Sequence, residues 1–340
     1  MTTKSLFGPI MMGLGIGLAA SAYAAKLSGK FEVCVQDDDG QPMAGVYVRC
    51  EFENPPTDWS EKRSDECYLK KTDARGHCTF KGRTSTGSVV CTAVDRGFYR
   101  TCSDIPIKEV TKEHVLIPEY QVTTIVVQRV KRPIPLFVKA VECARGHGFG
   151  PGTNTVSFDM IKADWLPPRG TGEVADVRVT RMPRKSFGIV EPDDYRKGES
   201  YEDVLRIEFP GEGNGIQEVE PLEGCDLMVR RAPEDGYKLS WEERKGKDRK
   251  LNRYSTESMT RCHCIRIRTQ TDASGNVIAG YYGKIYGGFD FGGNLHEDAN
   301  VAIDWFRYTY FLNLTPCERN LEFNETNLNN ETSDAIWHYL

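Results

Sequence analysis

The sequence predicts an all-β protein, a β-sandwich module followed by a second β-rich domain, and three observations predict it. Short runs alternate apolar and polar residues with a period of two, the mark of strands that bury one face. Turns rich in Asp and Gly punctuate these runs. No long stretch carries the 3.6-residue apolar period of an amphipathic helix.

The alternation is plainest between residues 30 and 130. Phe31-Glu32-Val33-Cys34-Val35 alternates and then meets the turn Asp37-Asp38-Asp39-Gly40-Gln41-Pro42. In the next run Val46, Val48, Cys50 and Phe52 share a face. Thr72-Asp73-Ala74-Arg75-Gly76 makes a second turn, with Gly where a positive φ is needed. Cys78 with Phe80, and Val89 with Cys91 and Ala93, mark two further inward faces, and Val122 to Val130 reads as a closing strand.

The residues Val33, Val35, Asp37, Gly40, Pro42, Gly45, Val46, Val48, Thr72, Asp73, Gly76, Phe80, Gly97 and Phe98 give this region a resemblance to the carboxypeptidase regulatory-like module. The resemblance implies a transthyretin-like (prealbumin-like) sandwich that serves as a scaffold or interaction module and carries no catalysis of its own. Cys78 and Cys91 depart from it, standing where the family has aromatic or aliphatic core residues. Related pilin-type sandwiches carry an internal Lys–Asn crosslink, but the first strand here points Phe31, Val33 and Val35 inward and no lysine.

Residues 1–24 read as a signal peptide. Lys4 supplies the positive start, Leu6 to Ala20 is apolar, and Ala22-Tyr23-Ala24 fits a small-x-small cleavage site before Ala25. The apolar run is shorter than the about 20 residues needed to cross a bilayer. The mature chain is therefore expected to be exported, to the periplasm or the cell surface of a bacterium, with no integral span.

Export changes the meaning of the 11 cysteines, because thiols pair in an oxidising compartment. Cys34, Cys50, Cys67, Cys78, Cys91 and Cys102 fall in the first module, enough for three bridges, with Cys78–Cys91 the preferred pair among the 15 connectivities six cysteines allow. Cys143, Cys225, Cys262, Cys264 and Cys317 fall in the second module. Their odd number leaves one thiol for a disulfide-linked dimer.

The boundaries expected are 25–131 for the sandwich, 132–323 for the β-rich domain and 324–340 for a polar, mobile tail. The stretch Arg129-Val130-Lys131-Arg132-Pro133-Ile134-Pro135 divides the modules and suits a hinge or crossover. Strand-like runs recur at Val204–Phe209, Cys225–Arg230, Cys262–Thr269, Val277–Ile285 and Val301–Leu312. Phe158-Asp159, Asp164-Trp165, Gly172, Asp176, Tyr282 to Gly287 and Arg319 to Phe323 resemble the downstream part of uncharacterised secreted bacterial proteins that share the first module. That resemblance implies architecture and no assigned activity.

Several constellations invite chemistry and are weighed against plainer roles. Cys262-His263-Cys264 has metal-ligating residue types, but on a strand the thiols point one way and the imidazole the other. Asp37-Asp38-Asp39 lacks the spacing of a Ca²⁺ loop and reads as an acidic turn. Asp159, Asp164 and Asp176 could hold a carboxylate pair for glycoside hydrolysis only if they converge in space. His296-Glu297-Asp298 lacks the second His of a zinc protease motif, and no nucleotide-binding loop or nucleophile elbow occurs. Arg244 to Lys250 is basic but interspersed with acids, a solvated loop. Trp305, Tyr308 and Tyr310 offer flat rings for ligand stacking, although alternation assigns half of the aromatics nearby to the core.

The net charge is −5, and −6 once the first 24 residues with their single charge, Lys4, are removed. A negative chain is poorly suited to nucleic acid, which is bound by displacing counterions with basic groups. No cofactor and no metal are expected. The function predicted is an exported structural or interaction protein that presents a sandwich face to a protein or glycan of the cell envelope. The alternative is a carbohydrate-binding or carbohydrate-processing envelope protein.

Overall fold

The computed structural model describes residues 27–53, 65–84, 88–107, 109–110, 115–143, 154–193, 196–221, 229–256, 261–292, 303 and 305–329, and all regular structure among them is β-strand. No helix among them is long and apolar enough to cross a membrane. The signal segment, Cys225 and His296-Glu297-Asp298 lie outside the described residues.

The first module holds β1 (Leu27–Asp37), β2 (Tyr47–Phe52), β3 (Glu66–Lys71), β4 (His77–Thr84), β5 (Ser88–Val94), β6 (Thr101–Pro106), β7 (Glu109–Val110) and β8 (Val115–Val127). They form two four-stranded sheets, ordered β4-β1-β8-β7 and β3-β2-β5-β6. β1 runs antiparallel to β4 and parallel to β8. The two sheets enclose one core, the β-sandwich expected of this region. Its core contains the inward residues that alternation picks out, Phe31, Val33 and Val35 from β1, Val46 just before β2, and Val48, Cys50 and Phe52 from β2, each fully buried. Gly82 lets Phe52 lie flat against β4, because a Cβ there would meet the ring at 2.6 Å.

The turns share one device. Asp37 Oδ1 accepts the amides of Asp39 and Gln41, and Asp73 Oδ1 those of Arg75 and His77, each followed by a glycine at positive φ, Gly40 and Gly76. Asp272 with Gly275 repeats it in the second module, and Asp248 does so with Leu251 in the positive-φ place. The side chain holds two amides that a tight hairpin would otherwise leave free. Asp37 is thus a turn former.

The second module comprises β9 (Ile134–Cys143), β10 (Thr155–Asp159), β11 (Asp164–Trp165), β12 (Val177–Arg181), β13 (Lys185–Asp193), β14 (Arg196–Glu208), β15 (Gly215–Val219), β16 (Ser240–Lys247), β17 (Arg253–Ser255), β18 (Cys262–Thr271), β19 (Val277–Gly292), β20 (Trp305–Asn313) and β21 (Phe323–Asn327). One sheet runs β11-β10-β12-β14-β16-β17, with β13 paired to β14, and the other β15-β18-β19-β20-β9-β21. The second sheet is buried on both faces. Phe306, Tyr308, Tyr310 and Leu312 of β20 enter the core between the sheets, while Phe311 enters a separate core with Cys262, Cys264, Tyr282, Leu321 and Phe323.

Two expectations are corrected here. The basic run from Arg244 is largely strand: β16 extends to Lys247, where Arg244 pairs with Glu202 and Glu242 and Lys245 with Asp290. Its acids are therefore cross-strand and same-face partners that let a charged strand hold its place. The mobile tail does not begin at Asn324, because Phe323–Asn327 is a strand parallel to β9 and Asn327 both accepts from Val138 N and donates to Val138 O. Of the hinge or crossover expected before β9, the contacts favour the crossover, since Lys131 N and Arg132 N both donate to Glu322.

Candidate functional site

Where the modules meet, polar groups converge on one buried carboxylate. Glu322 accepts the Tyr99 hydroxyl at 2.9 Å, Lys131 N at 3.2 Å and Arg132 N at 2.5 Å, and pairs with Arg230 Nε at 3.2 Å. The Arg230 guanidinium also donates to Arg129 O at 2.7 Å, lies over the Tyr99 ring and approaches Asp38 at 3.8 Å. Tyr99 and Glu322 are themselves buried. A carboxylate removed from water needs this many donors, and they come from both sides of the boundary.

The cysteines divide by face. None of the ten described cysteines is bonded to another, so the three bridges expected in the first module are not formed. Cys50, Cys78 and Cys91 point into the core, whereas Cys67 is exposed and Cys34 and Cys102 are half-buried. The register sets Cys50 directly opposite Cys91, and their Sγ atoms are 3.2 Å apart. This contact favours Cys50 over the expected Cys78 as the neighbour of Cys91: β2 and β5 are hydrogen-bonded neighbours, while Cys78 sits on β4 in the opposite sheet. The Cys50 thiol is pushed far up by its hydrogen bond with the Cys91 thiol and by burial, and burial raises Cys78 to about 12.

On the solvent face of β1 and β4 three side chains of different chemistry meet. Glu32 and Cys34 are two residues apart on β1, and His77 is the register partner of Cys34. Cys34 Sγ lies 3.6 Å from His77 Nδ1, which also contacts Glu32 Oε1. All three ligand atoms lie within 4.8 Å of one another. Burial, with Glu32 and then Asp73 close by, raises the Cys34 thiol. This group is not legible in the sequence, because His77 reaches it only through strand pairing across 43 positions.

The carboxylates considered for hydrolysis do converge, but on a structural task. Arg268 Nη2 donates to Asp159 at 2.6 Å and to Asp176 at 2.8 Å, and Arg268 Nε donates to Asp176 at 2.8 Å. Asp159 also accepts the amides of Ile161, Lys162, Glu173 and Val174, and Asp176 that of Met160. Burial pushes Asp159 up, yet these amides and Arg268 hold it below the usual carboxylate range. For Asp176 burial wins and the carboxyl is raised. Asp164 accepts Trp165 N, Thr171 N and the Thr171 hydroxyl, closing the same loop. Gly172 fits only because it lacks a Cβ, which would meet Asp164 O at 2.7 Å.

Tyr308 and Tyr310 are no stacking platform. Both are buried, and Tyr310 donates to Met160 O at 2.6 Å. Of the three rings proposed for stacking only Trp305 is half-buried, with Arg307 over it at 5.8 Å. Cys262 and Cys264 lie in one core, while His263 faces the other, edge-on to Trp241 at 4.7 Å and near Phe289. The three therefore cannot share an ion. Burial, helped by Arg261, pushes the His263 imidazole down to about 4. A cleft of about 700 Å³ lies against the crossover, lined in part by Arg132, Pro133, Pro135, Asn313, Thr315 and Leu328.

No family model matches this chain, and no curated protein matches it. Solved structures that resemble it include the 3-chlorocatechol 1,2-dioxygenase of Rhodococcus opacus 1CP, at 11% identity and a TM-score of 0.23 over 30% of this chain and 60% of that one. The full-length major pilin SpaD of Corynebacterium diphtheriae resembles it at 10% identity and a TM-score of 0.23, over 82% of this chain and 81% of that one. BcpA, the major pilin subunit of Bacillus cereus, does so at 11% identity and a TM-score of 0.21, over 82% and 95% respectively. Likenesses at these TM-scores do not define a shared topology.

Proposed function

We propose that this chain is an exported structural or interaction protein of the bacterial envelope, its N-terminal module a carboxypeptidase regulatory-like sandwich. The modules are divided near residue 131, and residues 1–24 are removed on export. The observation that carries this reading is the joint at Glu322, which ties the sandwich to the second module through four polar partners. Holding two modules in one arrangement serves a protein that transmits or presents a surface. The solvent face of β3-β2-β5 bears Tyr47, Leu69 and Val94, all exposed, among the charged Arg49 and Lys71, and offers a mixed apolar and charged face to a protein partner. The cross-strand pair Cys50 and Cys91 is the bridge that an oxidising compartment would form first. The carbohydrate reading loses its platform with the burial of Tyr308 and Tyr310.

Expression in a bacterium with the native leader tests the reading. The mature chain is expected to begin at Ala25, to fractionate with the periplasm or envelope, and to yield a reproducible protein adduct on cross-linking of intact cells. Leu69→Asp is expected to abolish that adduct without altering the fold. An uncleaved chain in the cytosol with all its thiols titratable would overturn it.

A further inference from the structure

We propose that Glu32, Cys34 and His77 form a three-ligand site for a borderline-soft divalent cation of the zinc type on the solvent face of the sandwich. The donor set is one thiol, one imidazole and one carboxylate, the types that Zn²⁺ selects. The spacing fits as well. Zinc bonds of about 2.3 Å to sulfur and 2.0–2.1 Å to nitrogen at a tetrahedral angle place those atoms roughly 3.5 Å apart, and Cys34 Sγ and His77 Nδ1 are separated by 3.6 Å.

The backbone holds these ligands ready. Glu32 and Cys34 share a face because strand residues two apart point the same way. His77 stands opposite Cys34 by register, where facing side chains come within about 5 Å at Cβ. β1 is hydrogen-bonded on both sides, to β4 and β8, so the two ligands it carries sit on an interior strand of the sheet. With the thiolate and the carboxylate charged and the imidazole neutral, the protein supplies two negative charges to a dication. Binding releases the Cys34 proton to solvent as the sulfur–metal bond forms. Asp73 adds negative potential nearby, while its own Oδ1 is engaged by the turn amides of Arg75 and His77. The His77 side chain is 42% exposed, which leaves the fourth coordination position open to water or to a donor from another molecule. The inference concerns metal chemistry alone and stands whether or not the chain has an envelope partner.

Cobalt serves as the probe. The full mature chain, reduced and stripped with chelator, is titrated with Co²⁺ and then back-titrated with Zn²⁺. One equivalent of Co²⁺ is expected to raise a thiolate-to-metal charge-transfer band with the visible bands of four-coordinate cobalt, and one equivalent of Zn²⁺ to remove them. Cys34→Ser is expected to abolish the charge-transfer band, and His77→Ala and Glu32→Gln to weaken binding by at least about tenfold. Cys67→Ser, at an exposed thiol of the other sheet, is expected to leave the titration unchanged. No stoichiometric band in the native chain, or a band that survives Cys34→Ser, overturns the site and leaves an ordinary Glu–His pair beside a thiol. Should Cys34→Ser fail to fold, Glu32→Gln decides, since unchanged cobalt affinity in that near-isosteric variant is equally fatal.

Discussion

Tyr99 donates its hydroxyl to Glu322 across 2.9 Å, joining residues 223 positions apart in the chain. The acceptor is buried and serves Lys131 N, Arg132 N and Arg230 as well, so the joint depends on one charge. Tyr99→Phe removes one hydrogen bond to that charge and is expected to cost about 1.5–3 kcal/mol. Glu322→Ala strands all four donors and is expected to cost about 3–5 kcal/mol. Urea unfolding monitored in each module separately checks both. In Glu322→Ala the two transitions are expected to separate, and coincident transitions with unchanged midpoints would refute the coupling.

His263 ties stability to pH. Its imidazole is fully buried between Trp241 and Phe289 and is pushed down to about 4 from an unfolded value of 6.5. The sign follows from the unfolded chain binding the proton more readily. The contribution is complete above pH 6.5 and is lost as pH falls through that value towards 4, reaching about 3 kcal/mol. Denaturant titrations at pH 7 and pH 4.5 measure it. His263→Phe, apolar like its surroundings, is expected to flatten that part of the profile, and an unaltered acid slope would contradict this.

The Cys50–Cys91 contact makes a covalent prediction. The Sγ separation of 3.2 Å must close to about 2.05 Å when thiol–disulfide exchange with a small disulfide oxidant takes both thiol protons and two electrons. A loop of about forty residues gives a bridge worth roughly 4 kcal/mol on chain-entropy grounds. Non-reducing peptide mapping of exported protein is expected to link Cys50 to Cys91. A link from Cys91 to Cys78 instead would show that the register does not govern pairing.

Arg268 holds Asp159 and Asp176 together from β18, and so pins the loop between β10 and β12. Arg268→Ala leaves two buried carboxylates without their counter-charge and is expected to cost about 3–5 kcal/mol. Arg268→Lys cannot fork to both carboxylates and is expected to recover only part of that loss. Chemical denaturation reads both, and a loss below about 1 kcal/mol for the alanine variant would mean the carboxylates find other partners.

Legibility followed from how each strand is exposed. Val48, Cys50 and Phe52 read as inward residues because β2 has one wet face and one dry face, and the alternation is written directly into the chain. β13 is not legible in the sequence, because nearly all of it is exposed and carries no alternation. β9 is hidden for the opposite reason: Leu136-Phe137-Val138 is buried on both faces and follows two prolines that read as a linker. The sequence offers Tyr308 and Tyr310 for ligand stacking because an exposed aromatic and a buried one look the same in the order of residues, and only their burial separates the two.

By itself the amino-acid order determined strand content, the sandwich's inward residues and its Asp–Gly turns. All of these depend on contacts within a few positions. The tertiary structure alone decided that Cys50 faces Cys91, that His77 joins Glu32 and Cys34, and that Glu322 receives Tyr99. Those pairings are set by which strands lie side by side and in what register. Sheet hydrogen bonding fixes that choice between segments far apart in the chain, and no local pattern encodes it.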